Sequence, residues 1–231
     1  MAYHNGVAES ANRQPKRRLS RTDWIDAALG AIEGGGLAAV SVEPLAARLG
    51  VTKGSFYSHF TSRDELIKAA LESWERGRGD TIERFRKMDD PAERLRQMLL
   101  EAVKFSQSGR ISVHTVLLGE LGDERVRAAV ARVTKLRLEL LTRSFRQLGL
   151  SPQQATDRAR IAYALYRGLL QMAREAPERR LGDREIARIL TEVNSALVGP
   201  GDPARIRPES SATDQDGRAR RRHPRPRAPE R

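Results

Sequence analysis

The chain has 231 residues, 39% hydrophobic and 31% charged, with a formal charge of +12. That length supplies one or two domains with real cores, and the positive excess suits a polyanionic partner. Zero cysteines exclude disulfides and thiolate metal sites and fit a reducing cytoplasm. The longest run free of Asp, Glu, Lys and Arg, residues 147–156, contains Ser-Pro-Gln-Gln and is far short of the about 20 apolar residues a membrane span needs. Met1 to Ser10 lacks the apolar core of a signal peptide. The expectation is a soluble, cytoplasmic protein with no membrane partner.

Residues 1–18 form a polar arm rich in Arg and Lys, with Arg13, Lys16, Arg17 and Arg18 near its end and Arg21 just beyond. It reads as a disordered basic arm, able to touch phosphates or the minor groove beside a DNA-binding unit. From Thr22 the pattern turns helical, with Trp24, Ile25, Ala28, Leu29 and Ile32 on one face. Gly34-Gly35-Gly36 ends that run; these glycines lack the Gly-Lys-Ser/Thr ending of a phosphate loop.

The stretch from Ser41 to Phe60, SVEPLAARLGVTKGSFYSHF, carries the most information. Val42, Leu45, Ala46 and Leu49 give one apolar face of a short helix, and Gly50 stops it where a left-handed residue is usual. Pro44 removes one of the N–H groups that Ser41 could cap. Thr52 is placed to cap a second short helix through its hydroxyl. Two short helices joined by a glycine turn make a helix-turn-helix, with Leu37, Val40 and Val42 closing a three-helix core. On the second helix Phe56 and Phe60 share the inward side, while Gly54, Ser55 and Ser58 point the other way. A face of glycine and serine lets backbone approach a groove closely. Lys53 sits in the first turn, where a cation is unfavourable unless phosphates or guanine edges lie opposite.

GVTKGSFYSHFTSRDEL resembles the N-terminal signature of the TetR family of bacterial transcription regulators, over roughly Arg21 to Trp74. Arg63 stands where lysine is usual. The resemblance implies an all-α protein: an N-terminal three-helix helix-turn-helix domain over 19–78 and a C-terminal helical ligand-binding and dimerisation domain over 79–199. It implies double-stranded DNA as partner. Lys53, Gly54 and Ser58 resemble positions facing base edges. Ser55, Tyr57, His59 and Arg63 resemble phosphate contacts that fix register. Ser41 and Thr52, at helix N-termini, are candidates for further phosphate contacts.

A long helix starts near Ser62, with Leu66, Ile67, Ala70, Leu71 and Trp74 inside and Gly77-Arg78-Gly79 as a weak spot, and runs towards Phe85 and Met88. Pro91 opens the next helix, which ends at Ser108-Gly109. A short apolar piece follows over 111–118, then a helix from about Asp123 to Leu148. Between Pro152 and Ala176, Arg160, Arg167, Gln171 and Arg174 form a narrow polar stripe and apolar residues occupy the rest, an arc that needs cover on more than one side. The last helix, Asp183 to Val198, has a narrower apolar seam. The resemblance implies that these two helices form a homodimer interface, with Ile161, Leu165, Leu169, Ile186, Ile189, Leu190, Val193 and Leu197 as its candidates. From residue 200 an arginine- and proline-rich tail cannot bury a core.

The four histidines lack metal-ligand spacing, and there is no nucleophile elbow or cysteine nucleophile, so neither an enzyme nor a bound metal or cofactor is expected. The reading is a sequence-specific regulator, in the family's usual mode a repressor, that binds a near-palindromic operator as a dimer. A small-molecule effector would enter the C-terminal domain among Phe85, Met98, Val103, Phe105, Val113, His114, Leu117, Leu136 and Tyr166. Two other readings are a non-specific architectural DNA binder and a helical interaction module whose helix-turn-helix is vestigial.

Overall fold

Residues 19–108, 112–176 and 181–198 are described by a computed structural model, and among them every regular element is helical. The basic arm 1–18 and the tail 200–231 lie outside the described residues. Helix α1 (Arg21–Gly35) opens on a capping box. The Ser20 hydroxyl accepts the Asp23 N–H, and the Asp23 carboxylate accepts that of Ser20 at 2.6 Å. The cap therefore starts the helix one residue ahead of the apolar pattern. Gly36 ends it at φ +71° and ψ −167°, a region essentially reserved for glycine, before a 3₁₀ turn at Leu37–Ala39.

Helices α2 (Val42–Leu49) and α3 (Lys53–Tyr57) follow. Gly50 is left-handed at φ +67°, its N–H donates to Ala47 and that of Val51 to Ala46 at 3.0 Å, a complete Schellman turn. Inside, the rings of Trp24 and Phe56 meet edge to face at 5.3 Å, and Phe60 stacks on Phe56 at 5.7 Å. Leu37 and Val40 are buried beside them and Val42 is packed against the same cluster.

The Ser62 hydroxyl accepts the Glu65 N–H and starts α4 (Arg63–Arg86). This helix passes Gly77 and Gly79 without a break. Each glycine costs about 1 kcal/mol of helix, but Trp74, Ile82 and Phe85 are buried on either side and hold the rod together. Side chains cap the next helices as well: Asp90 for α5 (Pro91–Gln107), Ser112 for α6 (Val113–Leu118), Asp123 for α7 (Glu124–Gln147) and Ser151 for α8 (Pro152–Glu175). The last is α9 (Asp183–Val198).

One core runs from the helix-turn-helix into the C-terminal half: Leu117 of α6 and Val126, Ala129, Val130 and Val133 of α7 pack in the cluster that holds Trp24, Leu66 and Trp74. A second core, Leu95, Leu141, Phe145, Ala155 and Ala159, joins α5, α7 and α8. Next to Leu95 of this second core sits Arg94, 3% exposed. It donates to the Phe85 carbonyl at 3.0 Å, Ser144 Oγ at 2.9 Å, Gln147 Oε1 at 2.7 Å and the Met88 carbonyl. The guanidinium thus satisfies carbonyls at and just after the end of α4 and pins them to α7. Among the described residues, no helix is long and apolar enough to cross a membrane.

Candidate functional site

Phe56 and Phe60 fill the core, and their burial turns the rest of α3 outward. Lys53, Gly54, Tyr57 and Ser58 are exposed, Tyr57 to 56%; Ser55 and His59 are half-buried. Lys53 Nζ forms an ion pair with Glu43 of α2, which lowers the carboxyl pKa and raises that of the amine. A Cβ at Gly54 would meet only Thr52 Oγ1, at 3.7 Å, so nothing in the fold requires glycine there. Ser58 Oγ donates back to the Ser55 carbonyl at 2.7 Å.

Ser41 and Thr52 occupy the N-cap positions of α2 and α3, but neither side chain makes a capping bond. For Ser41 the reason lies at Pro44, the third helical residue, which has no N–H to offer. The capping bond expected at Thr52 is likewise not made. Arg63 points back into the fold: its Nε donates to the Val40 carbonyl and its Nη2 to that of Leu37, both at 2.6 Å. Arg21, which the sequence groups with the basic arm, is also committed inward. It donates to the His59 carbonyl at 2.5 Å and to Glu65 at 3.0 Å, with its guanidinium 4.0 Å from the centre of the Phe60 ring. Glu65 further accepts the Thr61 N–H and hydroxyl, each at 2.8 Å. The Thr61 bonds, ahead of Arg21, hold its pKa at about 2. These contacts lock the chain immediately after α3.

In the C-terminal half a cavity of about 240 Å³ lies between α4, α5, α7, α8 and α9. Of the residues expected to line a ligand site, Phe85, Met98, Phe105 and Tyr166 do so. Val103 and Leu117 are fully buried, while Val113 and Leu136 pack against core clusters. His114 is also fully buried, between Trp74 at 5.8 Å and Tyr166 at 6.1 Å, ring centre to ring centre. Its Nε2 lies 3.2 Å from Arg137 Nη1. The arginine can only donate, so Nε2 accepts and the proton sits on Nδ1. Burial first, then Arg137, Arg78 and Arg167, push its pKa down to about 3. Nδ1 has no partner among the described residues.

Residues 25–70 match the sequence model of the bacterial regulatory proteins of the tetR family. The N-terminal domain is a TetR-family domain. The whole fold agrees: a TetR transcriptional regulator from Legionella pneumophila superposes with a TM-score of 0.63 at 12% identity, over 80% of this chain and 99% of that one. A TetR-family regulator from Streptomyces coelicolor gives 0.64 at 20% identity, over 77% and 93%. The regulator FadR from Bacillus subtilis, in complex with stearoyl-CoA, gives 0.56 at 17% identity, over 78% and 100%. No protein of curated function matches the chain in sequence.

In this TetR-type fold the residues expected at a dimer interface do not share one environment. Leu165, Leu190, Val193 and Leu197 line the cavity, and Leu169 is buried within the chain. Ile186 and Ile189 are half-buried. Ile161 is 55% exposed and shares its side of α8 with Ala164 and with Met172, itself 66% exposed. Met172 was absent from the expected set. Sequence reasoning also missed Arg78, Arg94 and Arg137. The signal was there: Arg78 lies four residues after Trp74, and Arg137 four after Val133 and four before Leu141. Both charges therefore fall on apolar helix faces.

Proposed function

We propose that the chain is a sequence-specific DNA-binding transcriptional regulator, a repressor that holds a near-palindromic operator as a homodimer and leaves it when a small molecule fills the helical cavity. The observation that carries this reading is the outward face of α3, where Lys53, Gly54, Tyr57 and Ser58 stand exposed over a core sealed by Phe56 and Phe60. Lys53, Gly54 and Ser58 face base edges in the major groove; Lys53 exchanges Glu43 for a guanine edge or phosphate. Ser41, Thr52, Ser55, Tyr57, His59 and Arg63 contact phosphates. The uncommitted N-cap hydroxyls of Ser41 and Thr52 support that assignment; Arg63 Nη1 makes only a long ion pair with Asp64, at 4.0 Å, which a phosphate would replace.

A single lysine reads little sequence, so specificity requires two half-sites, and the exposed Ile161–Met172 side of α8 is the surface that pairs two copies. Release follows from α4. Arg78, Ile82 and Phe85 line the cavity, while Arg63 at its other end holds the carbonyls just before α2. A ligand that favours a different setting of α4 changes the separation of the two reading heads and so lowers DNA affinity. The FadR complex with stearoyl-CoA is a protein of this fold with a small molecule bound.

The test is selection of bound sites from random duplex DNA at physiological salt with the full chain. Enrichment of an inverted repeat is the expected result. Retention without enrichment would replace the reading by an architectural binder, and no retention would overturn DNA binding altogether.

A further inference from the structure

The charges around the cavity do not balance. Its lining includes three arginines, Arg78, Arg96 and Arg137, against one carboxylate, Glu101. Two of these four charges are already matched: Arg96 bonds Glu93 at 2.6 Å and Glu101 accepts from Arg84 at 2.7 Å. Arg78 has no hydrogen-bond or ion-pair partner among the described residues, and Arg137 has only the neutral His114 ring. Arg137 also lies over the Tyr166 ring, 4.7 Å from its centre, a contact that orients the guanidinium without neutralising it. Burial pushes Arg78 below its usual range, and Arg137 adds to that push, so the two cations feel each other. Arginine cannot escape by losing its proton. A half-buried pair of like charges is unfavourable unless an anion joins it. The remaining walls are mainly apolar, from residues such as Ile82, Leu95, Leu141, Phe145 and Leu190, with the neutral hydroxyl side chains of Thr81, Ser112, Tyr163 and Tyr166 among them.

We infer that this cavity takes an amphipathic anion, an apolar body with a carboxylate or phosphate head held between Arg78 and Arg137. The head receives charge-assisted hydrogen bonds from the two guanidiniums, the arrangement in which arginine binds such groups best. The apolar body lies against the Ile82, Leu95 and Phe145 walls. This inference rests on the effector reading above only for its consequence on DNA; the binding itself stands apart from it.

The test is titration calorimetry on the full-length protein without DNA, using four compounds with the same ten-carbon chain: decanoate, decyl phosphate, decan-1-ol and decyltrimethylammonium. The expected result is binding of one or both anions at least about tenfold tighter than the alcohol, and exclusion of the cation. The preferred anion then says whether the head is a carboxylate or a phosphate. Arg78→Gln and Arg137→Gln are each expected to weaken the preferred anion by about tenfold while leaving the alcohol unchanged, with Arg137→Lys in between. Helical content and Tm of each variant are measured alongside, and Arg78→Gln alone decides if Arg137→Gln fails to fold. Equal affinity for anion and alcohol, unchanged anion affinity in a folded Gln variant, or binding of none of the four overturns the inference. An anion that binds and releases operator DNA would support both readings; an anion that binds without releasing DNA would support this inference and overturn the effector reading.

Discussion

Glu120 Oε1 accepts the backbone N–H of Leu37 at 3.3 Å, tying the loop after α6 to the segment that leads into the helix-turn-helix. The same carboxylate fills the space beside Gly36, where a Cβ would lie 2.1 Å from Glu120 Oε1. Gly36→Ala therefore meets both a clash and an unfavourable positive φ, and is expected to cost about 1–3 kcal/mol. Thermal unfolding followed by circular dichroism measures this. Adding Glu120→Ala should recover the clash and not the backbone strain, so the double variant falls between wild type and Gly36→Ala. A Gly36→Ala protein as stable as wild type would sink the account.

Gly54 presents the opposite case. It lies in α3 with open space around a would-be Cβ. Gly54→Ala should therefore stabilise the fold, by up to about 1 kcal/mol. If the α3 backbone must approach a groove closely, the same change weakens operator binding. Stability and affinity moving in opposite directions is the expected outcome in paired unfolding and gel-shift measurements; affinity that stays level would mean Gly54 does not meet DNA.

Lys53→Ala should reduce discrimination between operator and random DNA by about tenfold or more. Tyr57→Phe, which removes a hydroxyl assigned to phosphate, should weaken all sites alike. Glu43→Gln frees Lys53 from its ion pair and is expected to tighten DNA binding. Equal loss of discrimination from Tyr57→Phe would reverse the assignments.

His114 gives a pH signature. Its pKa falls from an unfolded value of 6.5 to about 3 in the folded chain, so below pH 6.5 the unfolded chain takes up a proton that the folded one refuses. The stability is complete above pH 6.5 and declines as pH falls towards 3, by up to about 1.4 kcal/mol per unit. The carboxylates of Glu65 and Glu93, unfolded value 4.5, and Asp123, unfolded value 3.8, are all lowered to about 2 and act only below their unfolded values. The span from pH 6.5 to 4.5 thus isolates the histidine. Urea unfolding should show the slope in wild type and a flat line in His114→Phe; a slope that survives the substitution assigns the effect elsewhere.

Arg94 supplies four donors to α4, the turn after it and α7 from a buried position. Arg94→Ala strands those acceptors and should cost about 3 kcal/mol. Arg94→Lys keeps the charge without the fork and should recover only part of that in the same assay.

The helix-turn-helix was legible in the sequence because local rules decide it: Gly50 admits the left-handed turn, and the spacing of Phe56 and Phe60 sets which face is free. Helix boundaries in the C-terminal half followed from caps and prolines for the same reason. The cavity was less legible. Val103, Leu117 and Phe105 all look alike as apolar helix residues, and only the packing of five helices separates the buried ones from the one that lines space. Arg78 was read only as the middle of a glycine-weakened stretch, although its fourfold spacing from Trp74 placed it on an inward face. Leu190, Val193 and Leu197 form a seam that fits a neighbouring helix in the same chain or in another copy, and periodicity cannot tell these apart.

The core shared by α1, α4, α6 and α7 bears on how this protein can be taken apart. A fragment ending with α4 would leave Trp74, Ile67 and Ala70 without Leu117, Val126, Val130 and Val133, and would present that oily face to water. Grafting this helix-turn-helix unit onto a foreign C-terminal half therefore demands a matching α6–α7 surface. Chimaeras cut after α7 keep that seam closed, whereas those cut at residue 78 open it.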